Sequence, residues 1–119
     1  MRENALVKNG KLFAIDIVNI CETAKSRGKT ATILNQLLRS GTSIGANIHE
    51  ANYASSRADF INKMQIALKE CYETDYWLDI LHQTNSILDE EYALLFSQCS
   101  KIRKLLTTSI TTAKKNLDR

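Results

Sequence analysis

The sequence predicts an all-α protein: a single domain, residues 1–119, folded as an up-down-up-down antiparallel four-helix bundle. Proline is absent and glycine occurs only four times, so the residues that usually interrupt helices are scarce. Apolar residues recur at spacings of three and four in four long stretches, which is typical of helices with one buried face. Short polar breaks separate these stretches and predict helices at about 5–26, 31–53, 57–84 and 89–115.

Each predicted helix carries its own stripe of core residues. In the first two helices the predicted core positions are Leu6, Phe13, Ile17, Ile20, Cys21, Ala24, Ile33, Leu37, Gly41, Ile44, Ile48 and Ala51. In the last two helices the stripes alternate four- and three-residue steps through Phe60, Met64, Ala67, Cys71, Thr74, Leu78, Leu81, Tyr92, Leu95, Cys99, Ile102, Leu106, Ser109 or Ile110, and Ala113. A second apolar set is expected to widen the buried face of the third helix: Ile61, Leu68, Tyr72, Tyr76 and Ile80.

The stretch 39–51 combines helical spacing with residues that form helices weakly. Small residues in a helix allow another backbone to come close, so we expect Gly41 to face the core and Gly45 to face another side, such as a neighbouring subunit. A polar edge runs beside the core stripe, and its members Ser43, Asn47 and Glu50 are predicted to form hydrogen bonds across helices. Arg39 is expected to pair with an acidic residue of another helix.

The composition also narrows the class of protein. No apolar run is long enough to cross a membrane, and the N-terminus has no apolar core typical of a secretory signal. The three cysteines are scattered and lack a C-x-x-C pair, which favours buried, reduced thiols and a cytoplasmic location.

Motifs for catalysis or metal binding are incomplete. Gly28-Lys29-Thr30 lacks the earlier glycine and the preceding strand of a phosphate-binding loop. His49-Glu50 begins like a zinc-protease helix, but Tyr53 occupies the position of the second histidine. Asp79 and His82 form only one of the pairs that a di-iron bundle requires. We therefore predict no enzyme activity, no metal or other cofactor, and no small-molecule substrate.

Charge is unevenly distributed along the chain. Residues 1–40 carry a net charge of +4, residues 59–91 carry −6, and residues 92–119 carry +5. Helix faces that complement one another explain this pattern, and so does a basic surface that meets nucleic acid. The candidate nucleic-acid contacts are Lys8, Lys11, Lys101, Arg103, Lys104, Lys114 and Lys115.

The segment 39–51 resembles the signature R-S-x-x-S-I-x-x-N-I-x-E of the four-helix-bundle proteins called 23S rRNA intervening-sequence proteins. The matching residues are Arg39, Ser40, Ser43, Ile44, Asn47, Ile48 and Glu50. The stretches 60–70 and 73–78 are similar to that family's third helix, so the likeness covers nearly the whole chain. The resemblance implies a homopentameric ring of antiparallel bundles. A similar protein, the accessory variability determinant of diversity-generating retroelements, binds a reverse transcriptase and nucleic acid.

Two functional hypotheses follow. The first is a non-enzymatic homo-oligomeric scaffold that contacts structured RNA, or a reverse-transcriptase-like partner, through basic helix faces. The second is a protein-interaction module with no role in nucleic-acid binding. Both predict that some apolar or aromatic side chains are exposed on one protomer and covered between protomers, and Tyr53, Tyr76 and Trp77 are the first candidates.

Overall fold

The computed structural model describes residues 4–117 and confirms the predicted fold class. It contains α1 (Ala5–Ser26), α2 (Ala31–Ala51), α3 (Arg57–Gln83) and α4 (Asp89–Leu117). Consecutive helices pack side by side, and α4 returns to contact α1, which closes a four-helix bundle of 53 × 23 × 21 Å. No helix in residues 4–117 has the length and hydropathy that crossing a membrane requires.

Local chemistry ends the helices where the sequence predicts, within two residues. Gly28 has a φ of +82° and its backbone N–H bonds Lys25, while the next N–H returns to Ala24, the pattern of a Schellman stop. Asn85 takes the same role after α3, with a φ of 57°. At the start of α3, the Ser56 hydroxyl accepts a hydrogen bond from the Asp59 backbone at 3.1 Å. The loops are therefore short, and each one reverses the chain.

The predicted stripes form the core, with small shifts in register at the helix ends. Leu34 rather than Ile33 is fully buried in α2, and Ile61 rather than Phe60 is buried in α3. The expectation that Tyr72 and Tyr76 widen the buried face is wrong, since 56% and 58% of their surfaces are exposed. Both tyrosines lie on the outer side of α3, because the neighbouring helices already cover its core stripe.

Glycines set the distance between α1 and α2. A Cβ on Gly45 would lie 2.8 Å from the Gly10 carbonyl oxygen, so the two backbones touch at this crossing. Gly45 faces another side than Gly41, as predicted, but the backbone nearest to it belongs to α1 of the same chain and not to a neighbouring subunit. Gly41 faces the core as predicted, and a Cβ there would lie 2.9 Å from two carbons of the Ile17 side chain. Close approach compensates for the poor helix propensity of these positions.

Candidate functional site

Much of the polar edge of α2 is engaged with α3. Arg39 pairs with Glu70 at 3.3 Å and with Glu73, and in the last turn of α2 Glu50 pairs with Lys63 at 3.3 Å. We call this row of contacts between α2 and α3 the polar ladder. Its charged members lie at the rim of the helix pair, since half of the Arg39 side-chain surface is exposed. The ladder fixes which faces of α2 and α3 meet.

The centre of the ladder is uncharged and buried. The Thr74 hydroxyl donates to the Ser40 hydroxyl at 2.9 Å, and both residues are fully buried. Asn47 does not reach another helix: its amide donates to the Ser43 carbonyl at 2.9 Å within α2, because α3 offers it no partner there. The expected cross-helix bonds of Ser43 and Asn47 are therefore wrong, whereas that of Glu50 is present. Ile44 and Ile48 belong to the core.

A basic surface lies on the outer side of α4. Lys101 and Lys104 are exposed, and within residues 4–117 neither pairs with a carboxylate. Both line a shallow depression of about 570 Å³ together with Phe96, Ser100 and Thr108. We call Lys101 and Lys104 the lysine face. Neither lysine forms an ion pair with a described residue, and this leaves their charges available to a partner.

The other basic candidates are spread around the bundle. Lys114 and Lys115 are exposed in the last turns of α4, which lie at the same end of the antiparallel bundle as Lys8 in α1. Lys11 lines a groove between α1 and α2 with Ala46 and His49, so it does not face α4. Asp16 of α1 does meet α4, since it accepts a hydrogen bond from Gln98 at 2.8 Å. The structure therefore groups the lysines of α4 and separates Lys11 from them.

Arg103 differs from the lysines because it serves the fold. Its guanidinium lies 3.6 Å from the Asp75 carboxylate and 5.6 Å from the centre of the Tyr72 ring. Burial raises the pKa of the Asp75 carboxyl above its usual value, while the Cys99 thiol and the Arg103 charge lower it. One Asp75 oxygen is buried without a hydrogen-bond partner among the described residues. Arg103 thus stabilises a carboxylate that burial disfavours.

We expect Arg103→Met to lower the free energy of unfolding by about 1–3 kcal/mol at neutral pH, since a half-buried carboxylate loses its cation. Without the Arg103 charge, the pKa of the Asp75 carboxyl in the folded protein rises further. Asp75 then holds a proton more tightly in the folded than in the unfolded state. Stability relative to the parent therefore falls as pH rises from the ordinary pKa of the carboxyl to the raised one. Urea titrations of both proteins between about pH 4 and 7 measure this difference.

The matched control adds Asp75→Asn to Arg103→Met, which removes the titrating group. In that double variant the pH-dependent part of the loss should vanish, and only the lost contact with Tyr72 should remain. A loss from Arg103→Met that is equal at every pH would contradict this role of Arg103.

The aromatic candidates do not form one surface. Tyr53 is 64% exposed at the end of α2, whereas Tyr76 and Trp77 lie in the second half of α3, near the opposite end of the bundle. Trp77 packs on the core and its indole nitrogen donates to Glu73 at 3.0 Å. The Tyr76 ring meets the Trp77 ring edge-on at 5.1 Å between centroids. Only the tyrosines are therefore substantially exposed.

An apolar strip on α1 was absent from the sequence-based candidates. Leu12 and Ile15 are each 47% exposed, and Val18 is 37% exposed. They recur every three residues outside the core stripe of α1, so their spacing is visible in the sequence. The stronger core stripe of the same helix makes this spacing easy to overlook. We call these three residues the α1 apolar strip.

Reactive chemistry has little support in the described residues. Burial raises the pKa of the Cys21 thiol to about 11, which disfavours the nucleophilic thiolate. The hydrogen bond with Cys71, and then burial, raise the pKa of the Cys99 thiol. No group of three potential metal ligands occurs within residues 4–117.

Comparison with known proteins places this bundle in a family. Residues 2–108 match the family described as 23S rRNA-intervening sequence protein. The chain is also similar to a crystal structure of a protein of unknown function from the S23 ribosomal protein family of Bacteroides thetaiotaomicron. That pair shares 46% sequence identity with a TM-score of 0.86, over 89% of this chain and 98% of the other. Among curated proteins, none matches. The chain therefore belongs to the 23S rRNA-intervening sequence protein family.

Proposed function

We propose that this protein is a non-enzymatic homo-oligomeric scaffold that contacts structured RNA, or an RNA–protein partner, through its basic helix faces. The observation that carries the proposal is the lysine face, Lys101 and Lys104, two exposed cations without carboxylate partners in residues 4–117. Each lysine that contacts a phosphate releases condensed counterions, which makes such a surface favourable for RNA. The net charge of +5 over residues 92–119 extends the same field.

The basic residues fall into two groups, those that form ion pairs within the protomer and those that do not, and this supports the proposed role. Arg39 and Arg103 pair with carboxylates of α3, so the acidic third helix is partly neutralised inside the protomer. The lysines of α4 are left on the outside, where RNA phosphates are the matching partner. The family description refers to the intervening sequence of 23S rRNA, and this favours RNA as that partner. The resemblance to the accessory variability determinant adds a reverse-transcriptase-like protein as the RNA–protein alternative.

Assembly belongs to the same proposal, with a homopentameric ring as the expected form. The α1 apolar strip and Tyr53 supply exposed side chains that a second copy would cover. The family description and the related crystal structure name no enzymatic activity. We also propose a cytoplasmic location, supported by three buried cysteines that form no disulfide.

RNA binding measured across a salt series tests the proposal. We expect affinity for a structured RNA to fall steeply between about 50 and 200 mM salt. Lys101→Glu combined with Lys104→Glu should weaken binding at least about tenfold and flatten the salt dependence, because two phosphate contacts become repulsive. Both side chains are exposed, so unfolding should be nearly unchanged.

The control carries the same change of charge away from the lysine face, at one end of the bundle: Lys25→Glu with Lys29→Glu, in and after the last turn of α1. This variant should bind RNA almost as well as the parent. If both variants lose the same RNA affinity, net charge and not the position of the lysines explains the effect. If the parent protein binds no RNA at low salt, the RNA role is overturned.

The α1 apolar strip favours a second candidate function, a protein-interaction module for which nucleic acid is irrelevant. This candidate predicts an oligomer in solution and no RNA among co-purifying molecules. The molar mass in solution tests the assembly that both candidates share, and a monomer would contradict it.

A further inference from the structure

Two exposed tyrosines follow one another along the outer face of α3, beside the basic surface of α4. Tyr72 and Tyr76 are one helical turn apart, so their side chains share a face about 6 Å apart along the axis. Neither ring is needed to fill the core, because more than half of each residue's surface is exposed. Tyrosine combines an apolar ring with a polar hydroxyl and is enriched at surfaces that bind partners.

Cations lie directly beside the first of these rings. Tyr72 shares an open depression of about 440 Å³ with Arg103, Lys104, Thr107 and Thr108. This depression meets the one that contains Lys101, since Lys104 and Thr108 line both. The guanidinium of Arg103 lies over the Tyr72 ring and is itself held by Asp75, which orients the ring. Tyr72 and the two lysines therefore line one continuous surface across α3 and α4, and Tyr76 lies one helical turn from Tyr72 on the same face of α3.

We propose that this surface binds an unpaired, single-stranded stretch of nucleic acid, with bases stacked on Tyr72 and Tyr76 and phosphates on Lys101 and Lys104. The proposal rests on the proposed function and adds to it the kind of strand that is recognised. In a duplex, the flat faces of the bases are stacked inside the helix and cannot reach an exposed ring. Unpaired bases stack on aromatic rings with little sequence preference, while a neighbouring basic groove follows the backbone.

The arrangement favours nucleic acid over a second copy of this chain as the occupant. Cations border both depressions, and a copy would have to bury Lys101 and Lys104 or supply matching carboxylates. A single strand matches both features at once, since its bases are aromatic and its backbone is anionic. RNA and DNA share this chemistry, so the two are separated by experiment.

The test measures binding of an oligouridylate of about 12 nucleotides, the DNA strand of matching length, and an RNA duplex. Tyr72→Leu and Tyr76→Leu should each weaken single-strand binding about tenfold and leave duplex binding nearly unchanged. Tyr72→Phe retains the ring and should bind like the parent. Tyr53→Leu removes an equally exposed tyrosine outside this surface and should also have no effect.

Trp77 provides a second readout, since it is the only tryptophan and its ring adjoins Tyr76. A base stacked on Tyr76 should quench Trp77 fluorescence, and Tyr76→Leu should abolish the quenching. If RNA and DNA strands bind equally well, base stacking and phosphate contacts account for the binding. If RNA binds more tightly than DNA, the protein also contacts the 2′-hydroxyl group.

The outcomes separate this inference from the proposed function. If RNA binding depends on Lys101 and Lys104 but not on either tyrosine, the stacking surface is overturned and the RNA scaffold stands. If no nucleic acid binds at low salt, both are overturned.

Discussion

Gly45→Ala is expected to lower the free energy of unfolding by about 3 kcal/mol, at the upper end of overpacking costs. The added methyl would lie 2.8 Å from the carbonyl oxygen of Gly10 and 3.1 Å from its carbonyl carbon. These are backbone atoms of a packed helix, so α1 and α2 must separate to relieve the clash. Helix propensity alone predicts the opposite sign, a gain of about 1 kcal/mol for alanine.

Gly10→Ala is the matched control for this prediction. A Cβ there would meet the Gly45 Cα at 3.2 Å and the end of the Ile48 side chain at 3.4 Å, which is tight but milder. We expect a loss smaller than that of Gly45→Ala, and urea unfolding followed by circular dichroism measures both. A Gly45→Ala protein as stable as the parent would show that α1 and α2 can move apart freely.

The helices were predictable because their signals are local. Apolar spacing acts over a few residues, so the sequence locates each helix directly, and the Ser56 cap and Gly28 stop seen in the structure are equally local. The partner of Gly45 was not predictable in this way. Gly10 lies 35 positions earlier, and only the register of α1 against α2 brings the two together. Because register is a tertiary property, the sequence predicted a close contact for Gly45 but assigned it to the wrong partner.

The candidate site shows the same limit. Charge along the sequence identified Lys101 and Lys104, since a basic segment stays basic in any fold. Periodicity misassigned Tyr72 and Tyr76 as buried, because both fall beside an apolar stripe at helical spacing. How much of a helix its neighbours cover depends on packing, and here α2 and α4 leave the outer side of α3 open. The sequence also named Tyr76 as a candidate for exposure on a single protomer, whereas the exposure of Tyr72 required the structure.

The family signature and the proposed RNA-binding surface are different parts of the molecule. Arg39, Ser40 and Glu50 contact α3, so this part of the signature determines how two helices pair. The lysine face lies on α4 and makes no contact with these residues. We infer that signature variants should alter stability first, and RNA binding only through loss of the fold. The two roles can thus be measured separately.

Ser40→Ala should lower the free energy of unfolding by about 2–3 kcal/mol, the cost of leaving a buried hydroxyl without its partner. Thr74 donates to Ser40 at 2.9 Å, and neither residue is exposed to water. Thr74→Val keeps the shape of the side chain and removes the donor. Its loss should be smaller, about 1 kcal/mol, because the Ser40 hydroxyl still lies 3.5 Å from the Leu37 carbonyl.

The double variant decides whether this pair acts through its hydrogen bond. Combining Ser40→Ala with Thr74→Val leaves no unpaired hydroxyl, so the total loss should be clearly below the sum of the single losses. Strict additivity in urea unfolding would mean that each side chain contributes through packing alone. Sub-additivity would show that Ser40 and Thr74 act through a buried hydrogen bond. Such a bond specifies the pairing of α2 with α3, because other registers would leave the two hydroxyls unpaired.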